Sequence, residues 1–206
     1  MLRHLRRRRS IWAALALGLA AVPTMLAGTA AAPAESSDPI LTGPEPDPLA
    51  ELPPDPAELE RARLQEQAEL IADLAPEKYR LLVVTTAEQY GVDPRLVAAV
   101  ITVESRWNPD AVGSHGEQGL MQILPSTGEW LAGVMGLTDY QLSDPATSVE
   151  MGTFYLAALI REYGSADVAL AVYNGGPRAA DGWEENPYRR KVLTAYQAAA
   201  AVEKAA

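Results

Sequence analysis

Cysteine is absent from this 206-residue chain, and histidine occurs only as His4 and His115. Without cysteine there is neither a disulfide nor a thiolate that could bind a metal or act as a nucleophile. Two isolated histidines do not favour a histidine-rich metal site. A calcium site built from carboxylates stays open, but no EF-hand loop spacing occurs. We therefore expect neither a metal nor a cofactor, although the compartment stays open because secreted proteins need not contain cysteine.

Basic residues are scarce outside the N-terminus. The chain holds 17 Lys and Arg against 27 Asp and Glu, and five of the arginines fall within the first 30 residues, which contain no acid. The remainder therefore carries 12 basic against 27 acidic residues. Nucleic-acid binding depends on clustered Lys and Arg that neutralise phosphates, so we exclude a nucleic-acid partner.

Residues 1–30 have the pattern of an export signal. Five arginines precede a nearly apolar run over residues 11–27, and small residues follow it. This order is typical of a secretory signal peptide, and Arg8-Arg9 also matches a twin-arginine signal. An uncleaved signal anchor is the alternative, because about 17 apolar residues just span a bilayer. We expect export to the periplasm, the cell envelope or the medium, with membrane contact only through this segment.

The next two segments differ sharply in composition. Residues 31–56 are rich in Pro, Ser, Asp and Glu and predict an extended, disordered linker. Residues 57–75 are rich in Glu, Ala, Leu and Arg and predict a helix with a weak apolar face. This helix either packs on the following domain or stands as a solvated stalk, and we favour the stalk. Residues 76–206 then form one domain of common size, which we expect to be monomeric.

The pattern of residues 76–206 predicts an all-α domain. No convincing period-2 run of a strand appears, although a small β-hairpin near residues 110–123 fits the glycines clustered there. The predicted helices lie near residues 77–90, 94–106, 125–134, 149–163, 166–173 and 188–202.

Glu104 stands on the apolar face of one predicted helix. Asp93-Pro94 marks the start of this helix, and Leu96, Val100 and Glu104 follow four residues apart on one face. Burial and the negative end of the helix dipole both disfavour an ionised carboxyl in the last turn. A raised pKa suits a proton donor that works near neutral pH. The alternative is a Glu that turns to solvent at a frayed helix end.

Two further motifs follow Glu104-Ser105. Residues 119–122 read Gly-Leu-Met-Gln, and residues 171–177 read Ala-Val-Tyr-Asn-Gly-Gly-Pro. In this order, and with connecting similarity over residues 76–196, the chain resembles the lytic transglycosylase family with a goose-type lysozyme-like fold, in its soluble branch. The resemblance implies a lysozyme-like α domain that acts on the glycan strands of peptidoglycan.

The resemblance also implies roles for single residues. Glu104 corresponds to the catalytic acid/base, and Ser105 to the neighbour that orients the carboxyl or the substrate. For Leu120 and Met121, packing in the core is an equal alternative to substrate contact. Substrate binding is implied for Ser105, Gly119, Leu120, Met121, Gln122, Tyr173, Asn174 and Tyr188. The chain departs from the family pattern in places: Ser148 replaces a common Asn, Gly175 replaces a common Ala, and Glu117 adds a second carboxylate near the groove.

The implied reaction is cleavage of the β-1,4 bond between N-acetylmuramic acid and N-acetylglucosamine with formation of 1,6-anhydro-N-acetylmuramic acid, a lyase reaction. Glu104 alone acts, first as an acid and then as a base. A hydrolase would instead use a second carboxylate. Two alternatives stay open: a muramidase that hydrolyses the same bond with Glu117 guiding water, and a non-catalytic glycan-binding or scaffold domain.

Overall fold

A computed structural model describes residues 55–203, so the predicted export segment and the linker up to residue 54 lie outside the described residues. Within this range no helix is both long and apolar enough to cross a membrane. The helices are α1 (Pro56–Glu69), α2 (Glu77–Tyr90), α3 (Pro94–Glu104), α4 (Pro125–Met135), α5 (Pro145–Tyr163), α6 (Ala166–Gly175) and α7 (Pro187–Glu203), with 3-10 turns at Pro177–Ala180 and Trp183–Glu185.

Capping side chains set the starts of α3 and α5. Asp93 accepts a hydrogen bond from the backbone N–H of Arg95 at 2.9 Å, as the sequence predicts. Asp144 likewise accepts from the N–H of Thr147 at 2.8 Å. Because this cap is followed by Pro145, which suits the first helical position, α5 begins four residues before the predicted start at residue 149.

The core is built around α3. Every residue from 96 to 101 in this helix is buried, so it is apolar on all sides, as a central helix must be. It packs against α2 and α7, while α5 packs against α2, α4 and α6. Burying each Val or Ile side chain of this run stabilises the fold by roughly 1.5–3 kcal/mol. The predicted all-α fold class is confirmed, and α3 carries Glu104 out of the core at its last residue.

Helix α1 packs on the domain, which corrects the preference for a solvated stalk. Arg63 of α1 binds Glu88 of α2 at 2.7 Å, but both side chains are substantially exposed, so this ion pair adds little stability. The stronger contact lies at the end of the segment, where Ala68, Ile71 and Ala75 are buried. The apolar face of α1 is weak because these anchoring residues fall mostly in the turns after Glu69.

The segment 110–123 forms isolated antiparallel bridges instead of the expected hairpin. Gln118 pairs with both Val112 and Ile123, and no longer ladder develops around these bridges. Gly119 lies inside the turn at φ 78°. A Cβ at this position would overlap the carbonyl oxygen of Leu142, so close approach as well as φ requires glycine. The sharp turns demanded by this packing leave no length for paired strands.

Candidate active site

The chain reverses direction immediately after Glu104. Arg106 and Trp107 adopt φ values of 52° and 66°, so α3 ends at Glu104 and not at the predicted residue 106. Left-handed conformations of non-glycine residues are strained. The Trp107 ring stabilises the turn because it stacks on Tyr79 at 5.8 Å and donates its Nε1–H to Thr102 Oγ1 at 3.0 Å. The turn leaves the Glu104 carboxyl at a helix end beside α7.

The Glu104 carboxyl is half-buried and holds its proton unusually well. The Tyr188 hydroxyl, from the first turn of α7, donates to Glu104 Oε1 at 2.7 Å. Burial raises the pKa of Glu104 to about 7, the hydrogen bond from Tyr188 lowers it in part, and the negative charge of Glu117 adds to the rise. Burial and the charge of Glu104 also raise the pKa of Tyr188 well above its ordinary value, so the phenol is a neutral donor.

Tyr173 lies next to this pair but bonds to the backbone. Its hydroxyl donates to the carbonyl oxygen of Met121 at 2.9 Å, and its ring contacts Tyr155 at 5.4 Å. Burial raises the pKa of Tyr173, and the charge of Glu104 adds to this rise, which puts the phenol in the same site. Asn174, the next residue, is exposed at the end of α6. Tyr173 therefore holds the 119–122 loop against α6.

The 119–122 loop presents its apolar side chains to the core. Leu120 and Met121 are 0% exposed, so of the two alternatives the structure favours packing in the core over side-chain contact with substrate. The Ser105 hydroxyl donates to the Leu120 carbonyl oxygen at 2.8 Å, which ties the loop to the end of α3. Ser148 accepts from the N–H of Met121 at 3.1 Å. These bonds fix the loop beside Glu104.

Gln122 closes the loop through its amide. It adopts φ 49°, and its Nε2 donates to the carbonyl oxygens of Ala111 and Gly119, each at 3.0 Å. Both amide hydrogens are thus used inside the protein. The amide oxygen faces Gly113, where a Cβ would lie 2.9 Å from it. Gln122 is the member of the Gly-Leu-Met-Gln motif whose side chain reaches the polar side of the loop.

Glu117 is a second carboxylate in the site, with the opposite electrostatic bias. Its Oε2 accepts from the N–H of His115 at 2.9 Å, and its Oε1 lies 3.1 Å from Nδ1 of the same residue. Hydrogen bonds from the backbone of Glu117 and His115, with the His115 ring, lower the pKa of Glu117. One carboxyl that keeps its proton and one that stays ionised form a pair of the kind found in acid/base sites.

A brace at the start of α7 was not predicted from the sequence. Arg189 forms an ion pair with Asp167 of α6, and its guanidinium lies 4.8 Å from the centre of the Trp183 ring. Its backbone N–H also donates to Asn186 Oδ1 at 2.9 Å. The brace holds the first turn of α7, and with it Tyr188, in place. Opposite charges 22 residues apart give no local signal that would reveal it.

The fold and the site define a helical domain organised around one carboxyl that can exchange a proton near neutral pH. Within residues 55–203 no group of three or more His, Asp and Glu side chains could hold a metal ion. The transglycosylase SLT domain family matches residues 82–195, more than half of the chain. The chain belongs to this family, and the resemblance seen in the sequence motifs is confirmed.

Curated relatives share this region. The transglycosylase of Enterobacteria phage PRD1 is 37% identical over 106 residues, which cover 51% of this chain and 38% of the phage protein. The soluble lytic murein transglycosylase of Salmonella typhimurium is 36% identical over 93 residues, covering 43% of this chain and 14% of that protein. The matches thus span less than two fifths of these relatives' lengths.

Solved structures share the fold. An inactive variant of the lytic transglycosylase Slt from Pseudomonas aeruginosa matches with a TM-score of 0.55 and 23% identity, over 70% of this chain and 31% of that one. The 70-kDa soluble lytic transglycosylase in complex with bulgecin A matches with a TM-score of 0.55 and 23% identity, over 68% and 29%. At this identity the likeness establishes the shared all-α fold alone.

Proposed function

We propose that this protein is a peptidoglycan lytic transglycosylase, which cleaves the β-1,4 bond between N-acetylmuramic acid and N-acetylglucosamine and forms 1,6-anhydro-N-acetylmuramic acid. The observation that carries the proposal is the Glu104 carboxyl, half-buried at the end of α3, with a pKa of about 7 and the Tyr188 hydroxyl on it. Family membership and the named activity of the relatives support the same assignment.

In the first step Glu104 is the acid. Its proton passes to the glycosidic oxygen, the C1–O bond breaks, and the bonding electrons leave with the N-acetylglucosamine oxygen. Positive charge develops at C1 of the muramic acid. The new Glu104 carboxylate is stabilised by the hydrogen bond from Tyr188, because a bond to the charged form of a group favours that form.

In the second step the same Glu104 is the base. It accepts the proton of the muramic acid 6-hydroxyl while that oxygen attacks C1, so the ring closes and Glu104 regains its proton without consuming water. One group can do both because a pKa of about 7 gives it protonated and ionised forms at neutral pH.

We assign the substrate-binding roles by exposure. Asn174 is exposed and offers its amide toward the groove. Gln122, whose amide hydrogens both bond to backbone carbonyls, and Tyr173 from α6 shape the wall of the groove. Ser105 and the backbone of Gly119 act from behind the wall by holding the loop. The buried Leu120 and Met121 side chains contribute through packing.

The same proposal covers the organisation of the chain. Residues 1–30 export the protein, residues 31–56 are a spacer, and the catalytic domain spans 76–206 as a monomer that acts on glycan strands in the periplasm or cell envelope. Neither a cofactor nor a nucleic acid takes part. An N-terminal arginine-rich start followed by an apolar run supports export.

Product analysis tests the function. The full chain and Glu104→Gln are incubated with purified peptidoglycan, and the released muropeptides are weighed by mass spectrometry. Products about 18 Da lighter than the hydrolytic ones, absent with the variant, are expected, because no water is added in contrast to the hydrolytic route. Reducing-end muramic acid would identify a muramidase instead. Binding to peptidoglycan without any product would indicate a glycan-binding domain.

A further inference from the structure

The turn from Gly113 to Gln118 carries the Glu117 carboxylate back over its own backbone. The N–H of Gly113 donates to the Glu117 carbonyl oxygen at 2.8 Å, and Gln118 forms the bridges that flank the turn. The Glu117 side chain is 24% exposed, whereas His115, which bonds to it, is 80% exposed. The carboxylate therefore faces the protein, and the imidazole faces solvent.

Gly113 provides the space for this carboxylate. A Cβ at position 113 would overlap Glu117 Oε2 and would lie 2.9 Å from Gln122 Oε1. Gly113 is not among the glycines with positive φ, so its lack of a side chain matters for room and not for backbone conformation. The Glu117 carboxylate and the Gln122 amide oxygen thus converge on one point of the loop.

This point lies on the wall that adjoins Glu104. Gln122 belongs to the loop that the Ser105 hydroxyl ties to the end of α3 through Leu120. Tyr188 from α7 and Glu117 from this turn shift the pKa of Glu104, and the charge of Glu104 in turn raises the pKa of Tyr173 from α6. Both phenols are neutral, so Glu117 is the negatively charged group among these three neighbours of Glu104.

We propose that Glu117 is a positioning residue of the reaction: an ionised second carboxylate, held in place by the gap at Gly113, that keeps Glu104 in its proton-donating form. The inference rests on the proposed function. No bond to Glu117 forms, and no proton passes to it.

The pH profile of kcat/KM on peptidoglycan tests the proposal for wild type and Glu117→Gln. Removing a negative charge favours ionisation of Glu104, so its pKa falls and the proton donor is lost at lower pH. The basic limb of this profile, where kcat/KM falls as Glu104 loses its proton, should move down by about 0.5–1 pH unit. This is the scale on which neighbouring charges shift carboxyl pKa values. Glu129→Gln is the matched control, since it removes the same charge from an exposed position on α4 and should leave the limb in place.

Two further variants test the geometry. Gly113→Ala must displace the Glu117 carboxyl group, which is the flexible end of a side chain, so it should move the limb in the same direction as Glu117→Gln. In the Glu117→Gln background the same change should add little, because the two substitutions act through one charge. Glu117→Asp keeps the charge and should restore part of the wild-type profile.

Titration of the Glu104 carboxyl by carbon-13 NMR separates this proposal from the function itself, because it needs no turnover. A Glu104 pKa that falls in Glu117→Gln and not in Glu129→Gln supports the proposal. Equal titration in wild type and both variants overturns it, even if 1,6-anhydro products form. A pKa that falls in Glu117→Gln while wild type yields only reducing-end products leaves the coupling intact and refutes the transglycosylase assignment.

Discussion

The end of α3 and the 119–122 loop both carry motifs of the family, yet the two motifs have different structural roles. At the end of α3, Glu104 presents a half-buried carboxyl that accepts a hydrogen bond from the Tyr188 hydroxyl at 2.7 Å. In the loop, Leu120 and Met121 are fully buried, and the carbonyl groups of both accept hydrogen bonds. One motif therefore holds a desolvated carboxyl, and the other holds the loop against which that carboxyl is placed.

This difference predicts opposite responses to substitution. Changes at Glu104 should affect turnover and leave the fold intact. Changes in the loop should lower stability first and reduce turnover only through the loss of native protein. Four substitutions test this separation.

The largest effect is expected for Glu104→Gln. Gln retains the shape and can still accept from Tyr188, but it cannot exchange a proton. Release of muropeptides should fall by at least about 10²–10⁴-fold, the usual contribution of general acid–base catalysis. Initial rates on purified peptidoglycan measure this loss, and normal turnover in a folded variant would remove Glu104 from the mechanism.

Thermal unfolding provides the folding control for Glu104→Gln. The folded-state pKa of Glu104, about 7, exceeds the ordinary value of 4.5, so its contribution to stability is present below pH 4.5 and is lost as pH rises through 7. The variant should therefore gain stability over wild type at pH 8, on the order of 3 kcal/mol at most, and show little difference at pH 4. A variant that is less stable at pH 8 would contradict this account.

Gly119→Ala should have the largest effect on stability. Alanine is strained at φ 78°, and its Cβ would overlap the carbonyl oxygen of Leu142, which is backbone and cannot easily move. The free energy of unfolding in urea should fall by about 2–4 kcal/mol. Gly133→Ala, on the exposed side of α4 with open space around it, is the matched control and should be neutral or slightly stabilising.

Tyr188→Phe should come next. It removes the hydrogen bond that favours ionised Glu104, a contribution of about 1.5–3 kcal/mol for a bond to a charged group, so turnover should fall roughly 10–100-fold. The pKa of Glu104 should rise, and the basic limb of kcat/KM should move to higher pH, opposite to Glu117→Gln. Tyr196→Phe removes a hydroxyl from the same helix that bonds to Asp93 and should not move the limb.

The smallest effect is expected for Ser105→Ala. Its hydroxyl ties α3 to the loop at Leu120, so unfolding free energy should fall by about 1 kcal/mol while the pH profile stays unchanged. Thr85→Ala, which loses an exposed bond to the Leu81 carbonyl, calibrates the stability change. A shifted pH profile in Ser105→Ala would instead support the role predicted from the sequence, that Ser105 orients the carboxyl.

Local signals predicted most of the helices. Asp93-Pro94 and Gly91 set helix ends through capping and left-handed φ, which are properties of a few neighbouring residues. Where tertiary packing decided the end of a helix or its placement, the prediction was wrong. Residues 105 and 106 left α3 because Trp107 packs on Tyr79, and α1 joined the domain through Ile71, which lies beyond the helix.

The sequence alone determined the family and the all-α class, and it predicted Glu104 as the central carboxyl, because these depend on motif order, hydrophobic period and residue type. It also predicted the direction of the Glu104 pKa shift, since a carboxyl on an apolar helical face is desolvated wherever that face packs. Only the tertiary structure decided the hydrogen-bond partners of Glu104 and Tyr173. Tyr188 lies 84 residues from Glu104, and Met121 lies 52 from Tyr173. Contacts at such separations depend on how helices pack, and no local pattern encodes which hydroxyl will reach which oxygen.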